Sequence, residues 1–87
     1  MEIQNVKNQI RGRWKLFDKS LNRTIHYSFD EIFQYITETS DKTHYNIFEK
    51  NGGIFYSSQE TVEIVAISTK VMVWKKNNSY HVFEKIS

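Results

Sequence analysis

The chain has 87 residues, no cysteine and a formal net charge of +2, which limits it to one small domain and excludes a disulfide scaffold, a thiolate zinc site and a cysteine nucleophile. So mild a charge does not itself call for nucleic acid or an anionic membrane. A charged fraction of 25% and an apolar fraction of 39%, with two Trp, five Tyr and six Phe, are enough for a compact globular core and argue against disorder.

The opening MEIQNVKNQI lacks the continuous apolar stretch of a signal peptide. No apolar run approaches the roughly 18 residues of a membrane span. The expected compartment is the cytoplasm, or a secreted or periplasmic one if the sequence is a trimmed piece of a longer chain. From Ile10 the pattern alternates with a period of two. Ile10, Gly12, Trp14 and Leu16 share one face, while Arg11, Arg13 and Lys15 share the other, as in a strand with one wet side. RTIHYSF repeats the pattern, with Ile25, Tyr27 and Phe29 opposite Thr24, His26 and Ser28.

The next segment carries two competing signals. Phe29, Ile32, Phe33 and Ile36 stand at i, i+3, i+4 and i+7, and Ser28 and Glu31 are spaced as a capping box, which predicts a helix. The alternative is a turn at Asp30–Glu31 followed by a strand with Phe33, Tyr35 and Thr37 on one face. Farther along, THYNIFEK sets Tyr45 with Ile47. Asn51, Gly52 and Gly53 predict a tight hairpin into IFYSS. ETVEIVAIST and KVMVWKK are rich in β-branched residues, and Asn77 to Ser79 turns the chain into YHVFEKI.

Taken in order, GRW at Gly12 to Trp14, YNI at Tyr45 to Ile47, EIVAIS at Glu63 to Ser68, VMVW at Val71 to Trp74 and the closing FEKI make a series that resembles the small bacterial lipocalin-like domains over nearly the whole chain. The resemblance implies an eight-stranded up-and-down barrel. In that barrel Gly12 lets the first strand bend across the closed end and Trp14 seals its base. It also implies strand rather than helix at Phe29 to Ile36. Larger lipocalins pair the Trp with an Arg of the last strand, for which the candidates here are Lys75 and Lys85. Their T-D-Y element is matched only by Thr43, His44 and Tyr45. Strands of about six residues imply a shallow calyx, and the family implies a ligand only loosely.

Chemistry is sparse. His26, His44 and His81 have no metal-ligand spacing and fall on polar phases of their strands. Ser57, Ser58 and Ser68 lack an elbow motif, and Asp30 and Glu31 read as turn or cap residues. No catalytic residue, metal site or cofactor is expected. Trp14, Tyr27, Phe29, Phe33, Tyr45 and Tyr56 read first as core, because an eight-stranded barrel has just enough interior for side chains to fill it. Five of them, Trp14, Tyr27, Phe33, Tyr45 and Tyr56, are the candidate lining of a pocket at the open end. Arg11, Arg13 and Lys15, joined by Lys85 or His81 if the barrel closes, form a candidate interaction row on which Phe17 could stack a base; the bland alternative is a stripe neutralised by Glu84.

The expected fold is therefore all-β, a small antiparallel up-and-down lipocalin-like barrel of about eight short strands forming a single domain over residues 1–87. The alternative is α+β with one helix near residues 29–39. The expected role is non-catalytic binding. Its partner is a small apolar ligand at the barrel mouth or, alternatively, a protein or nucleic acid on the basic outer face of the first strand, nucleic acid being the less favoured.

Overall fold

A computed structural model describes all 87 residues, Met1 to Ser87. One short helix, α1 (Ile3–Ile10), precedes nine strands: β1 (Gly12–Asp18), β2 (Arg23–Phe29), β3 (Phe33–Ile36), β4 (Asp41–His44), β5 (Asn46–Lys50), β6 (Gly53–Ser57), β7 (Thr61–Ile67), β8 (Val71–Lys76) and β9 (Ser79–Lys85). They form one antiparallel sheet in the order β4-β3-β2-β1-β9-β8-β7-β6-β5. First and last strands pair, with Trp14 opposite Lys85 and Leu16 opposite Phe83. The sheet thereby curls into a nearly closed barrel, and no helix is long and apolar enough to cross a membrane.

Nine strands replace the expected eight because Tyr45 alone interrupts the run from Asp41 to Lys50. The first half of that run pairs with β3 and the second half with β6. Side chains bridge the gap this leaves. The Thr43 and Ser58 hydroxyl oxygens lie 2.7 Å apart, and Ser58 Oγ donates to the His44 carbonyl at 2.8 Å.

The tight turns follow their residue types. Asn51 and Gly52 have φ of 51° and 79°, and Asn77 and Asn78 have 52° and 60°. Positive φ at both central positions matches the right-handed twist of the flanking strands. The helix predicted near residues 29–39 is absent. Asp30 Oδ1 accepts the backbone N–H groups of Ile32 and Phe33 at 2.9 and 2.7 Å, and the Asp30 N–H donates to the Phe33 carbonyl at 3.1 Å. This Asx-type turn reverses the chain where a helix would have continued. Phe29 is buried, Ile32 is exposed and Gln34 is buried, so the helical periodicity corresponds to no common face.

The N-terminus brings a second correction. Ile10 ends α1 and does not begin β1. Glu2 caps the helix by accepting the Gln4 N–H at 3.0 Å, and Val6 and Ile10 are buried. The helix packs on β5 and β7 and closes one end of the barrel. Beneath it lies the core, made of Trp14, Leu16, Phe29, Ile47, Ile54, Tyr56, Val62, Ile64, Met72, Trp74 and Phe83 together with Val6 and Ile10.

Candidate functional site

The closed end shows why a glycine stands two residues before a tryptophan. Gly12 has φ of +117°, and a Cβ there would fall on the Ser87 carbonyl oxygen and 2.8 Å from Lys85 Cε. The crowding comes from the returning C-terminal segment and not from the Trp14 ring. Trp14 is fully buried and its indole N–H donates to the Ile10 carbonyl at 2.8 Å. Lys85 Nζ lies 4.5 Å from the centre of the Trp14 ring and donates to the carbonyls of Gln9 at 2.9 Å and Arg11 at 2.5 Å. One ammonium thus joins the last strand, the Trp and the end of the helix. Burial lowers its pKa below the usual lysine value.

Of the candidate pocket residues, Trp14 belongs to this closed end and Phe33 leaves the interior altogether. Phe33 lies on the outer wall, stacked on His44 with centroids 4.5 Å apart and with Lys42 Nζ 4.2 Å from its own. Gln34, the inward neighbour of Phe33 on β3, is buried and accepts the Tyr56 hydroxyl. Tyr27, Tyr45 and Tyr56 do converge in the interior, along with two rings that had not been counted, Trp74 and Phe83. Tyr56 stacks on Trp74 at 4.6 Å, Trp74 meets Phe83 at 4.5 Å, and Tyr27 sets its edge against Phe83 at 5.3 Å and Trp74 at 6.0 Å. Tyr45 stacks on Tyr56 at 5.5 Å and hydrogen-bonds to the Asp30 carbonyl. The alternation in VMVWKK, which puts Met72 with Trp74, was the signal that could have added Trp74 to the set.

These rings touch one another, so most of the barrel interior is filled. Tyr27 is the half-buried member, on the side toward the open mouth. Burial first, and then the charges of Glu60, Asp18 and Glu38, hold its phenol above the usual tyrosine pKa. Burial does the same to Tyr45 and Tyr56. The lip is polar, with Lys76 Nζ and a Glu60 carboxylate oxygen 2.6 Å apart. One polar atom is left over: Trp74 Nε1 is buried with no hydrogen-bond partner. Most buried donors in native proteins are paired, which makes this N–H the exception in the interior.

The candidate basic row is largely neutralised. Arg11 lies 3.7 Å from Glu31, and Lys15 lies 3.7 Å from Glu84, its cross-strand partner. Arg13 Nε donates to Ser87 Oγ at 2.8 Å. Lys85 is not in the row, because it turns inward onto Trp14. Nor is His81, which sits opposite the buried Trp74 on the inner face. The outer wall offers something the charge pattern did not announce, a groove of about 750 Å³ across β1 and β9 that reaches the turn at Asp18 to Ser20 and the edge of His81, with Phe17, Tyr80 and Val82 as its apolar members.

Compared with family models, curated proteins and solved structures, the chain matches none. No group of histidines and carboxylates is placed to hold a metal ion.

Proposed function

We propose that this chain is a non-catalytic binding domain of lipocalin-like build, and that it takes a small, flat, mostly apolar molecule carrying a hydrogen-bond acceptor at the open mouth of the barrel. The observation that carries this is the unpaired Trp74 indole N–H, enclosed by Tyr27, Tyr56 and Phe83. Leaving such a donor unpaired costs about 1 to 3 kcal/mol. An acceptor that reaches it recovers that cost while the rings supply apolar contact. Since the interior is mostly filled, the apolar body of the ligand lies at the mouth, and its acceptor reaches the N–H as the half-buried Tyr27 ring turns aside. Support for the lipocalin-like assignment comes from Lys85, which covers Trp14 from the last strand as an Arg does in larger lipocalins.

Native mass spectrometry of freshly purified protein is the first test, followed by titration with anilinonaphthalene sulfonate, which carries both a flat apolar ring system and acceptor oxygens. Trp74→Phe keeps a ring and removes the donor, so affinity for the probe should fall by about tenfold, the equivalent of about 1.4 kcal/mol. Absence of both co-purified ligand and probe binding, or equal affinity in Trp74→Phe, would contradict the proposal.

The groove on the outer wall, which sets Phe17, Tyr80 and Val82 among polar side chains, favours the other expected role, a protein partner. Its occupant is argued next.

A further inference from the structure

The outer face of the seam where β1 meets β9 is built unlike the rest of the wall. Phe17 is 54% exposed, Tyr80 62% and Val82 52%. Beside them on β8, Val73 stands directly opposite Val82 and Val71 opposite Glu84. Strand alternation explains how this face arises: the inward residues Leu16, Met72, Trp74 and Phe83 are all buried, so their neighbours must point out. It does not explain why four of the seven, Phe17, Val71, Val73 and Val82, are apolar. A contiguous apolar surface over three adjacent strands marks an interaction site in a folded protein.

We propose that this face binds a second copy of the same chain about a twofold axis. Two features of the face itself select that occupant. Projecting rings, Phe17 and Tyr80, stand beside an open groove of about 750 Å³ that they help to line. A surface with both knob and hole can receive its own image, which is the requirement of an isologous interface. The charges lining the groove are also balanced, Lys15 and Lys19 against Asp18 and Glu84. Such a lining attracts neither a polyanion nor a polycation, but it is complementary to itself. Lys15 and Glu84 sit 3.7 Å apart and both are exposed. A twofold axis passing close to them lets each lysine meet the other copy's carboxylate, so that a pair within one chain becomes two pairs between chains.

Faces of twisted sheets pack with their side chains interdigitated, which suits Val82 at the centre and the two rings at its sides. The population of such a dimer rises with protein concentration.

Sedimentation velocity over a concentration series up to the millimolar range tests this on the whole chain. The parent should shift from a species of 10.4 kDa toward one of twice that mass. Val82→Lys should weaken the association by more than about tenfold, as expected for a charge placed at the centre of an apolar contact. The charge-reversal variants Lys15→Glu and Glu84→Lys guard against a trivial effect on folding. Each alone gathers like charges on the axis and should be monomeric, whereas an equimolar mixture should form a heterodimer. A parent monomeric throughout the series would overturn the proposal. So would two charge variants that dimerise as the parent does, or whose mixture stays monomeric. Ligand binding at the mouth uses Trp74 and no residue of this face, so either result leaves the proposed function standing or falling separately.

Discussion

The two ends of the barrel solve the same closure problem with different materials. At the closed end, α1, the first strand and the C-terminus meet around Trp14, where backbone joins backbone: the Arg13 N–H donates to the Ser87 carbonyl at 2.9 Å and the Ile86 N–H to the Arg13 carbonyl at 2.7 Å. Lys85 ties both to the helix. At the mouth, the contacts between elements are made mainly by side chains on short turns, such as Glu38, which accepts the His26 N–H at 2.7 Å and lies 2.5 Å from its ring nitrogen, and Glu60 with Lys76. An exposed ion pair such as Glu60 with Lys76 contributes about 0 to 1 kcal/mol. A fully buried indole is worth several times that. The difference teaches that stability is concentrated at the end without a candidate site, leaving the mouth free to carry polar groups and an unpaired donor.

Two substitutions at the closed end break this contrast most strongly, the first of them at Gly12. An alanine there must adopt φ near +117° and push its Cβ into the Ser87 carbonyl, and strain in such a region costs about 1 to 3 kcal/mol before any clash is counted. Gly12→Ala should cost about 3 kcal/mol, lowering the melting temperature by about 12 to 24 °C. Trp14→Ala, which empties the same end, should cost about 3 to 5 kcal/mol and leave the chain molten near room temperature. Calorimetry decides, and a cooperative melt within a few degrees of the parent in either variant would place the stability elsewhere.

A smaller effect separates the interior from the lip. The phenols of Tyr27, Tyr45 and Tyr56 are held above the usual 10.0 chiefly by burial. The fold thus prefers them protonated. Their contribution is complete below pH 10 and is lost as pH rises through the higher folded values. Lys85 runs the other way, since the fold prefers it neutral and gains stability as pH climbs toward 10.5, but one ammonium stands against three phenols. Alkaline titration should therefore show tyrosinate absorbance rising together with loss of the near-ultraviolet dichroism above pH 10. Phenols that all titrate near pH 10 in an intact fold would show that the rings are open to water.

Where residues alternate without competition, the fold could be read directly. Ile25, Tyr27 and Phe29 turn inward and His26 outward as their period requires, and the Asn-Gly and Asn-Asn turns sit where positive φ is tolerated. The helix α1 is legible in Glu2 and in the spacing of Ile3, Val6 and Ile10, but the period-two alternation that runs on from Ile10 masks where it ends. Phe29 to Ile36 misled because an apolar i, i+3, i+4, i+7 pattern says nothing about Asp30, whose carboxylate captures two N–H groups and turns the chain. The interior ring cluster was half visible. Tyr27, Tyr45 and Tyr56 could be placed by alternation, whereas Phe33 went to the wrong wall because the turn at Asp30 resets the phase of β3. Lys75 and Lys85 were equal candidates for the partner of Trp14, and the register of β1 against β9 decides for Lys85.

Hydrogen exchange followed by NMR compares the two ends in one sample. The Trp14 indole N–H and the amides of Arg13 and Lys85 should exchange only through global unfolding, with rates that rise steeply in denaturant. The amides of Thr37, Ser40 and Ser58, held at the mouth by bonds of 3.0 to 3.4 Å, should exchange through local opening, at least about a hundredfold faster and with little denaturant dependence. Closed-end protons that exchange as fast as those at the mouth would contradict the claim that the Trp14 end holds the barrel together.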